Sequence, residues 1–228
     1  PATPGASGNA PAAYDQTLLG QFDQRYLSHP KARRIVGLVL FVILLIPSAQ
    51  FVRTIQKVDA SPYRTGGTRH RTALGRWLPS AQELARFPEG DNPYSYGHWF
   101  PTPPMVLICL IPLAKMGYIG AGIGWSILKL AGLFGAMWFL IREYDRQGRP
   151  FPTGVLIMAA AFSLRPIISD IQHGNLNIFM MIWLTLTWAL YLRRADYLAG
   201  FFLSAAIVTK ITPALALVYF LYKRNWRL

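Results

Sequence analysis

Negative charge is scarce in this chain. Its 228 residues carry 10 Asp and Glu against 23 Lys and Arg, a net charge of +13. Charged residues of both signs make up only 14% of the sequence, about half the roughly 25% of soluble domains, which argues against a soluble protein. A single cysteine, Cys109, excludes an intramolecular disulfide framework and any multi-cysteine zinc site. The four histidines, His29, His70, His98 and His173, lack metal-ligand spacing, so no metal is expected. There is no Gly-rich phosphate loop with Lys-Ser/Thr, no dinucleotide fingerprint, no His-Glu-x-x-His and no Gly-x-Ser-x-Gly. No repeat is evident.

Apolar residues, by contrast, are abundant at 53%, which excludes disorder for most of the chain. They fall in runs over 35–52, 105–114, 119–141, 153–168, 176–192, 197–209 and 211–222. The first run, 18 residues at about 1.5 Å each, is long enough to cross a bilayer core. Basic clusters at 31–34, 142–149, 193–194 and 223–227 lie between the runs. With those clusters cytoplasmic, the positive-inside rule is mostly obeyed, and 53–103, 165–177 and the turn near 210–213 share the outer face. The surplus of cations therefore reads as loops meeting anionic headgroups, with no nucleic acid as partner. Parity requires 105–114 not to cross. It is short and carries Pro103, Pro104 and Pro112, so a re-entrant or half-depth helix is expected.

The expected fold class is all-α, a polytopic transmembrane helical bundle of about six spans plus that short helix. Residues 1–13, rich in Pro, Gly and Ala, read as a disordered tail, and 14–34 as a cytoplasmic juxtamembrane segment. The membrane domain runs over 35–228, with an extracytoplasmic loop over 53–103. Within that loop, 76–86 predicts a short helix lying on the membrane, with Trp77, Ala81, Leu84 and Ala85 on its apolar side. The chain begins at Pro1 and stops at Leu228 after a basic cluster, which reads as a piece of a longer protein. No cleavable signal peptide is visible.

Polar groups inside the apolar runs carry the functional signal. Lys210 ends the small, apolar helix that starts near Gly200, about 18 Å from the cytoplasmic side. An ammonium there is costly and defaults to function. Thr212 and Pro213 follow, and a proline break is tolerated where backbone lines a cavity. Lys129 is a second cation inside a run, either facing the bundle or snorkelling outward. Arg165, Asp170, Gln172, His173, Asn175 and Asn177 form a dense polar cluster at a helix end. Such amides suit sugar hydroxyls, and Arg suits phosphate through its bidentate fork. The bland reading is a connecting loop with a glycine turn and an Asn cap. Tyr94, Tyr96 and His98 belong to an aromatic, proline-rich stretch that is either an interfacial belt or the wall of a sugar site. Gly120-x-Gly-x-Gly124 opens an apolar helix and reads as close helix packing.

The order of these motifs resembles glycosyltransferase family 87. Gln172-His-Gly-Asn-Leu-Asn177 is similar to the family's Gly-Gln-x-Asn motif, with Asn175 where Gln is usual. Thr209-Lys-Ile-Thr-Pro213 matches its Lys-x-Thr/Ser-Pro motif, and Leu221-Tyr-Lys-Arg-Asn-Trp-Arg227 its Arg-rich cluster with Trp-Arg. Asn92-Pro-Tyr and Phe100-Pro-Thr-Pro-Pro104 look like its Asp-Pro-Tyr and Tyr-Pro-Pro signatures. The resemblance implies an integral-membrane transferase of the GT-C type, multi-pass in a bacterial inner membrane. The donor would be a polyprenyl-phosphate sugar, hexosyl or pentosyl, and the acceptor an extracytoplasmic glycan or glycolipid. No cofactor is implied. Lys210 and Arg165 would hold the donor phosphate. Asp170, Gln172, His173, Asn175, Asn177, Tyr94, Tyr96, His98 and Thr212 would meet sugar or acceptor. The family places a catalytic Asp in the first outer loop. Here Ala73 falls near that position, so Asp59 is the candidate base, with Glu83 and Asp91 behind it. The rival expectations are a transporter or lipid flippase, or a non-catalytic relative.

Overall fold

The computed structural model describes residues 21, 30–59, 72–86, 89, 104–148 and 152–222. Among them there is no strand. The chain folds into α1 (Pro30–Asp59), α2 (Ala73–Ala85), α3 (Pro104–Ala114), α4 (Gly117–Arg146), α5 (Thr153–His173), α6 (Asn177–Leu192), α7 (Asp196–Thr209) and α8 (Ala214–Tyr222). The seven apolar runs correspond to α1 and α3 to α8, and the fold is an all-α polytopic membrane protein. By length and composition α1, α4 and α5 are able to cross a membrane, while α3, α6 and α7 are shorter apolar helices.

Side-chain ties give the helix directions. Arg33 near the start of α1 bonds Thr153 at the start of α5 and, at 3.3 Å, Asp145 near the end of α4. At the other end, Gln172 of α5 donates to Gln50 of α1 at 2.9 Å. So α1 and α5 run together and α4 runs against them. α6 returns beside α4: Trp188 donates to Tyr144 at 3.1 Å, and Gln147 to the Leu192 carbonyl at 3.0 Å. α7 runs back, and α8 reverses again, setting Tyr219 at a tilt against Trp188 and Phe220 edge-on to Tyr191. Arg33, the 142–147 segment and Arg193 thus gather at one end, which is called the basic end below. Buried Glu143 anchors it, accepting from Arg193 at 2.6 Å.

α2 and α3 pack around the opposite end of α1 and the start of α4. Leu74, Leu78 and Ala81 meet Phe51, Ile55, Leu110 and Trp125 in one apolar cluster. The sequence places the first of these helices at 76–86, but it begins at Ala73. The reason is its cap, since the Thr72 hydroxyl accepts from the Gly75 N–H at 3.1 Å. Its buried face is Leu74, Leu78 and Ala81, and Trp77 and Leu84 are only half-buried. The helix rests on α3 and the α1 end, and its apolar stripe is covered by protein. The glycine run packs helices as expected. A Cβ at Gly122 would stand 3.4 Å from Ile55, and one at Gly124 would stand 2.6 Å from Leu113. The expected tail over 1–13 lies outside the described residues.

Candidate functional site

The turn between α5 and α6 is built around Asp170. α5 stops at Gly174, whose φ of 67° is the left-handed conformation that glycine tolerates. The Asn175 N–H donates to the Asp170 carbonyl at 3.1 Å. The Asn177 N–H, at the first residue of α6, donates to Asp170 Oδ2 at 3.0 Å. The helix start is therefore satisfied by an aspartate seven residues back, where the sequence suggested an Asn cap. The other carboxylate oxygen, Oδ1, lies 2.6 Å from Lys129 Nζ, which also donates to the Asp170 carbonyl at 3.0 Å. Lys129 and Asp170 are 1% and 4% exposed, so this is a fully buried ion pair.

Asn177 turns its side chain away from this pair. Its Oδ1 accepts from Lys210 Nζ at 3.2 Å. Lys210 caps α7 in extended conformation, and Ile211, Thr212 and Pro213 form the break before α8. Lys210, Asn177 and Thr212 are all exposed. Helix lengths give the depth. α6 has 16 residues and α7 has 14, so Asn177 and Lys210 stand roughly 20–25 Å from the basic end, within the ~30 Å of a hydrocarbon core.

Below this polar rim runs a groove of about 490 Å³. It starts at Asn177, Thr212 and Pro213 and descends past Met181, Leu184 and Thr185 to Trp188 and Leu140. The α6 positions 177, 181, 184, 185 and 188 recur at helical spacing and make one wall. The adjoining face of α6 is core: Ile178 and Ile182 are buried, and Ile182 packs where a Cβ at Gly132 would stand only 2.6 Å away. These groove residues are absent from the expectations drawn from sequence, although the spacing from Asn177 to Trp188 carries the signal.

The predicted residues thus divide. Asp170, Asn177, Lys210 and Thr212 come together around the α5–α6 turn and the head of the groove. Gln172 faces α1 through Gln50, and His173 Nδ1 lies 2.8 Å from its own helix's Ser169 carbonyl. Asn175 is half-buried in the turn. Asp170 is buried and not open at the rim, because Lys129 draws its carboxylate inward. Arg165 does not sit at the helix end. It is exposed two turns earlier within α5, and it makes no hydrogen bond or ion pair among the described residues. Asp59 is the last residue of α1, and its side chain lies outside the described residues, as do Tyr94, Tyr96, His98 and Asp91. Glu83 pairs weakly with Arg86 at 3.7 Å. Among the described residues no group of His, Cys, Asp or Glu is arranged to hold a metal.

Fold and site together define a polytopic helical membrane protein with a cationic, amide-bearing rim above an apolar groove. The glycosyltransferase family 87 pattern matches residues 100–228, more than half the chain, and the chain belongs to that family. It is similar to the polyprenol-phosphate-mannose-dependent alpha-(1-2)-phosphatidylinositol mannoside mannosyltransferase of Mycobacterium tuberculosis, with 26% identity over 78% of this chain and 42% of the relative. A polyprenol-phosphate-mannose-dependent alpha-(1-2)-phosphatidylinositol pentamannoside mannosyltransferase from a second strain of that organism is 28% identical over 86% of this chain and 44% of its own length. A Mycolicibacterium smegmatis mannoside mannosyltransferase is 28% identical over 76% of the chain and 40% of its length. The chain thus spans less than half the length of these relatives. No solved structure matches it.

Proposed function

We propose that the full-length protein is a membrane glycosyltransferase that moves a hexosyl group, best read as mannosyl, from a polyprenyl-phosphate donor to a glycolipid acceptor on the extracytoplasmic side. The observation that carries this reading is the cation at the head of an apolar groove. Lys210 bonds Asn177 at 3.2 Å, and Asn177 lines the groove whose α6 wall continues through Met181, Leu184 and Trp188. A lipid-linked phosphosugar has the matching chemistry: an anionic head beside a hydroxylated ring, on a single apolar chain. The relatives' dependence on polyprenol-phosphate-mannose supports the same donor, and their phosphatidylinositol mannoside acceptors support a mannosylated lipid acceptor.

In this mechanism Lys210 holds the phosphate and stabilises the charge that grows on it as the glycosidic bond breaks. The lipid phosphate is the leaving group, so the reaction calls on no nucleotide. Thr212 flanks the phosphate or the ring, while Asn177 steadies the Lys210 ammonium. Asp59, at the outer end of α1, takes the proton from the acceptor hydroxyl. Gln172, which bonds Gln50 of α1, faces the acceptor, together with His173, Asn175, Tyr94, Tyr96 and His98. Arg165 draws no support from the geometry as a phosphate partner of Lys210. The basic end faces the cytoplasm under the positive-inside rule, which sets the rim at the outer leaflet of a bacterial inner membrane.

The test is transfer by the complete protein in membranes or detergent. Labelled polyprenyl-phosphate mannose should give a mannosylated lipid, and a nucleotide sugar should give none. Movement of the donor across liposomes without covalent product would replace the enzyme with a transporter.

A further inference from the structure

We infer that Lys129 and Asp170 are positioning residues that hold the Lys210 ammonium in place through Asn177. The inference rests on the reading of Lys210 as the phosphate-binding cation and adds what fixes it there. Lys129 sits in an apolar helix and is 1% exposed, a placement that is costly unless the charge is paired and hydrogen-bonded. Asp170 meets that need with Oδ1 and its carbonyl, at 2.6 Å and 3.0 Å. A buried carboxylate also needs a partner for its second oxygen, Oδ2. Here Oδ2 accepts the Asn177 N–H at 3.0 Å and so fixes the first residue of α6. Asn177, anchored by its backbone, then presents its side-chain oxygen to Lys210 at 3.2 Å. Four residues on α4, α5, α6 and the α7–α8 break form one continuous chain of contacts, with its buried half at Lys129 and its exposed half at Lys210. The last link is needed because Lys210 lies in the non-helical break after Thr209, where its own helix no longer fixes it.

The chemistry of the link separates this role from an ordinary salt bridge. Exchanging the charges, Lys129→Asp with Asp170→Lys, restores an ion pair but leaves only donors in the side chain at position 170, so the Asn177 N–H loses its acceptor. Replacing the pair with apolar residues, Lys129→Met with Asp170→Leu, removes the buried charges together and also removes the acceptor. Both double variants of the full-length protein are expected to accumulate in membranes, with thermal midpoints lowered only by the loss of that one helix-start hydrogen bond. Transfer from polyprenyl-phosphate mannose should nonetheless fall about 100-fold in kcat, the order expected when a reacting group is displaced by about an ångström, with the acceptor KM unchanged. Wild-type transfer by either folded double variant would overturn the inference.

Should both fail to accumulate, Asn177→Leu decides, since it keeps the buried pair and changes an exposed residue. Its loss of transfer should vanish in a Lys210→Ala background, because both changes remove the same interaction. Additive losses would overturn the relay. Lys210→Ala alone keeps the two readings distinct. Full activity there removes the phosphate role as well, whereas loss there beside a wild-type charge-exchanged pair removes only the relay.

Discussion

Lys210 and Asn177 lie 33 positions apart in sequence, yet the lysine ammonium rests 3.2 Å from the Asn177 side-chain oxygen. This contact joins the break after α7 to the start of α6 at the head of the groove. Lys210→Ala in the complete protein should lower kcat for transfer by about 10²–10³, the range seen when one donor to a developing oxyanion is removed. Protein levels should be unchanged, because the side chain is exposed and no buried partner is orphaned. Lys210→Arg keeps the charge and should recover part of the rate. Full activity in Lys210→Ala would show that the phosphate is held elsewhere.

Asp59→Asn should lower kcat by about 10²–10⁴, the usual contribution of a general base. Donor binding should persist, seen as a thermal shift of the complete protein on adding polyprenyl phosphate. A variant that keeps its rate removes Asp59 from the mechanism, and Glu83 and Asp91 become the carboxylates to test.

Gly174→Ala should destabilise the protein by about 2–5 kcal/mol. A left-handed residue with a Cβ costs about 1–2 kcal/mol. The new methyl would stand 2.7 Å from the Phe51 ring and 3.3 Å from Leu74, and such crowding costs about 1–3 kcal/mol. The thermal midpoint in detergent reports this, and transfer should fall with it because the same turn carries Asn177. An unchanged midpoint would mean that the turn has another conformation.

Much of this architecture is legible in the sequence, because apolar runs and their basic borders follow from solvation alone. Each of the seven runs becomes a helix, and the glycines at 122 and 124 meet neighbouring helices as their spacing suggests. Lys210, Asn177 and Thr212 stand out as polar groups in apolar surroundings, and the structure sets them beside one another. What sequence could not supply was pairing at a distance. Lys129 has nothing polar near it in the chain, and its partner lies 41 residues on. Without that partner Asp170 reads as a rim residue, although it is buried. Arg165 and Asp170 look alike in a linear cluster, but they lie on different faces of one helix, one side chain exposed and the other buried. The start of α2 moved because a single hydroxyl, Thr72, caps it.

Glu143 offers a control at the opposite end. It is buried and accepts from Arg193 at 2.6 Å, tying α4 to the turn after α6. Glu143→Gln weakens a charge-assisted bond whose other partner stays partly solvated, so a loss of about 1–3 kcal/mol is expected. The thermal midpoint should drop while donor and acceptor KM stay as in the wild type. A selective change in donor KM would place substrate at the basic end and contradict the orientation argued above.

The most direct test is to locate the lipid chain. A polyprenyl phosphate carrying a photoactivatable group in its isoprenoid tail, added to the complete protein, should crosslink to Met181, Leu184, Trp188 or Pro213, and Lys210→Ala should abolish that labelling. Labelling that falls instead on the outward faces of α5 or α7, at Phe162 or Phe201, and that ignores the Lys210 substitution would contradict a carrier-lipid site at this groove.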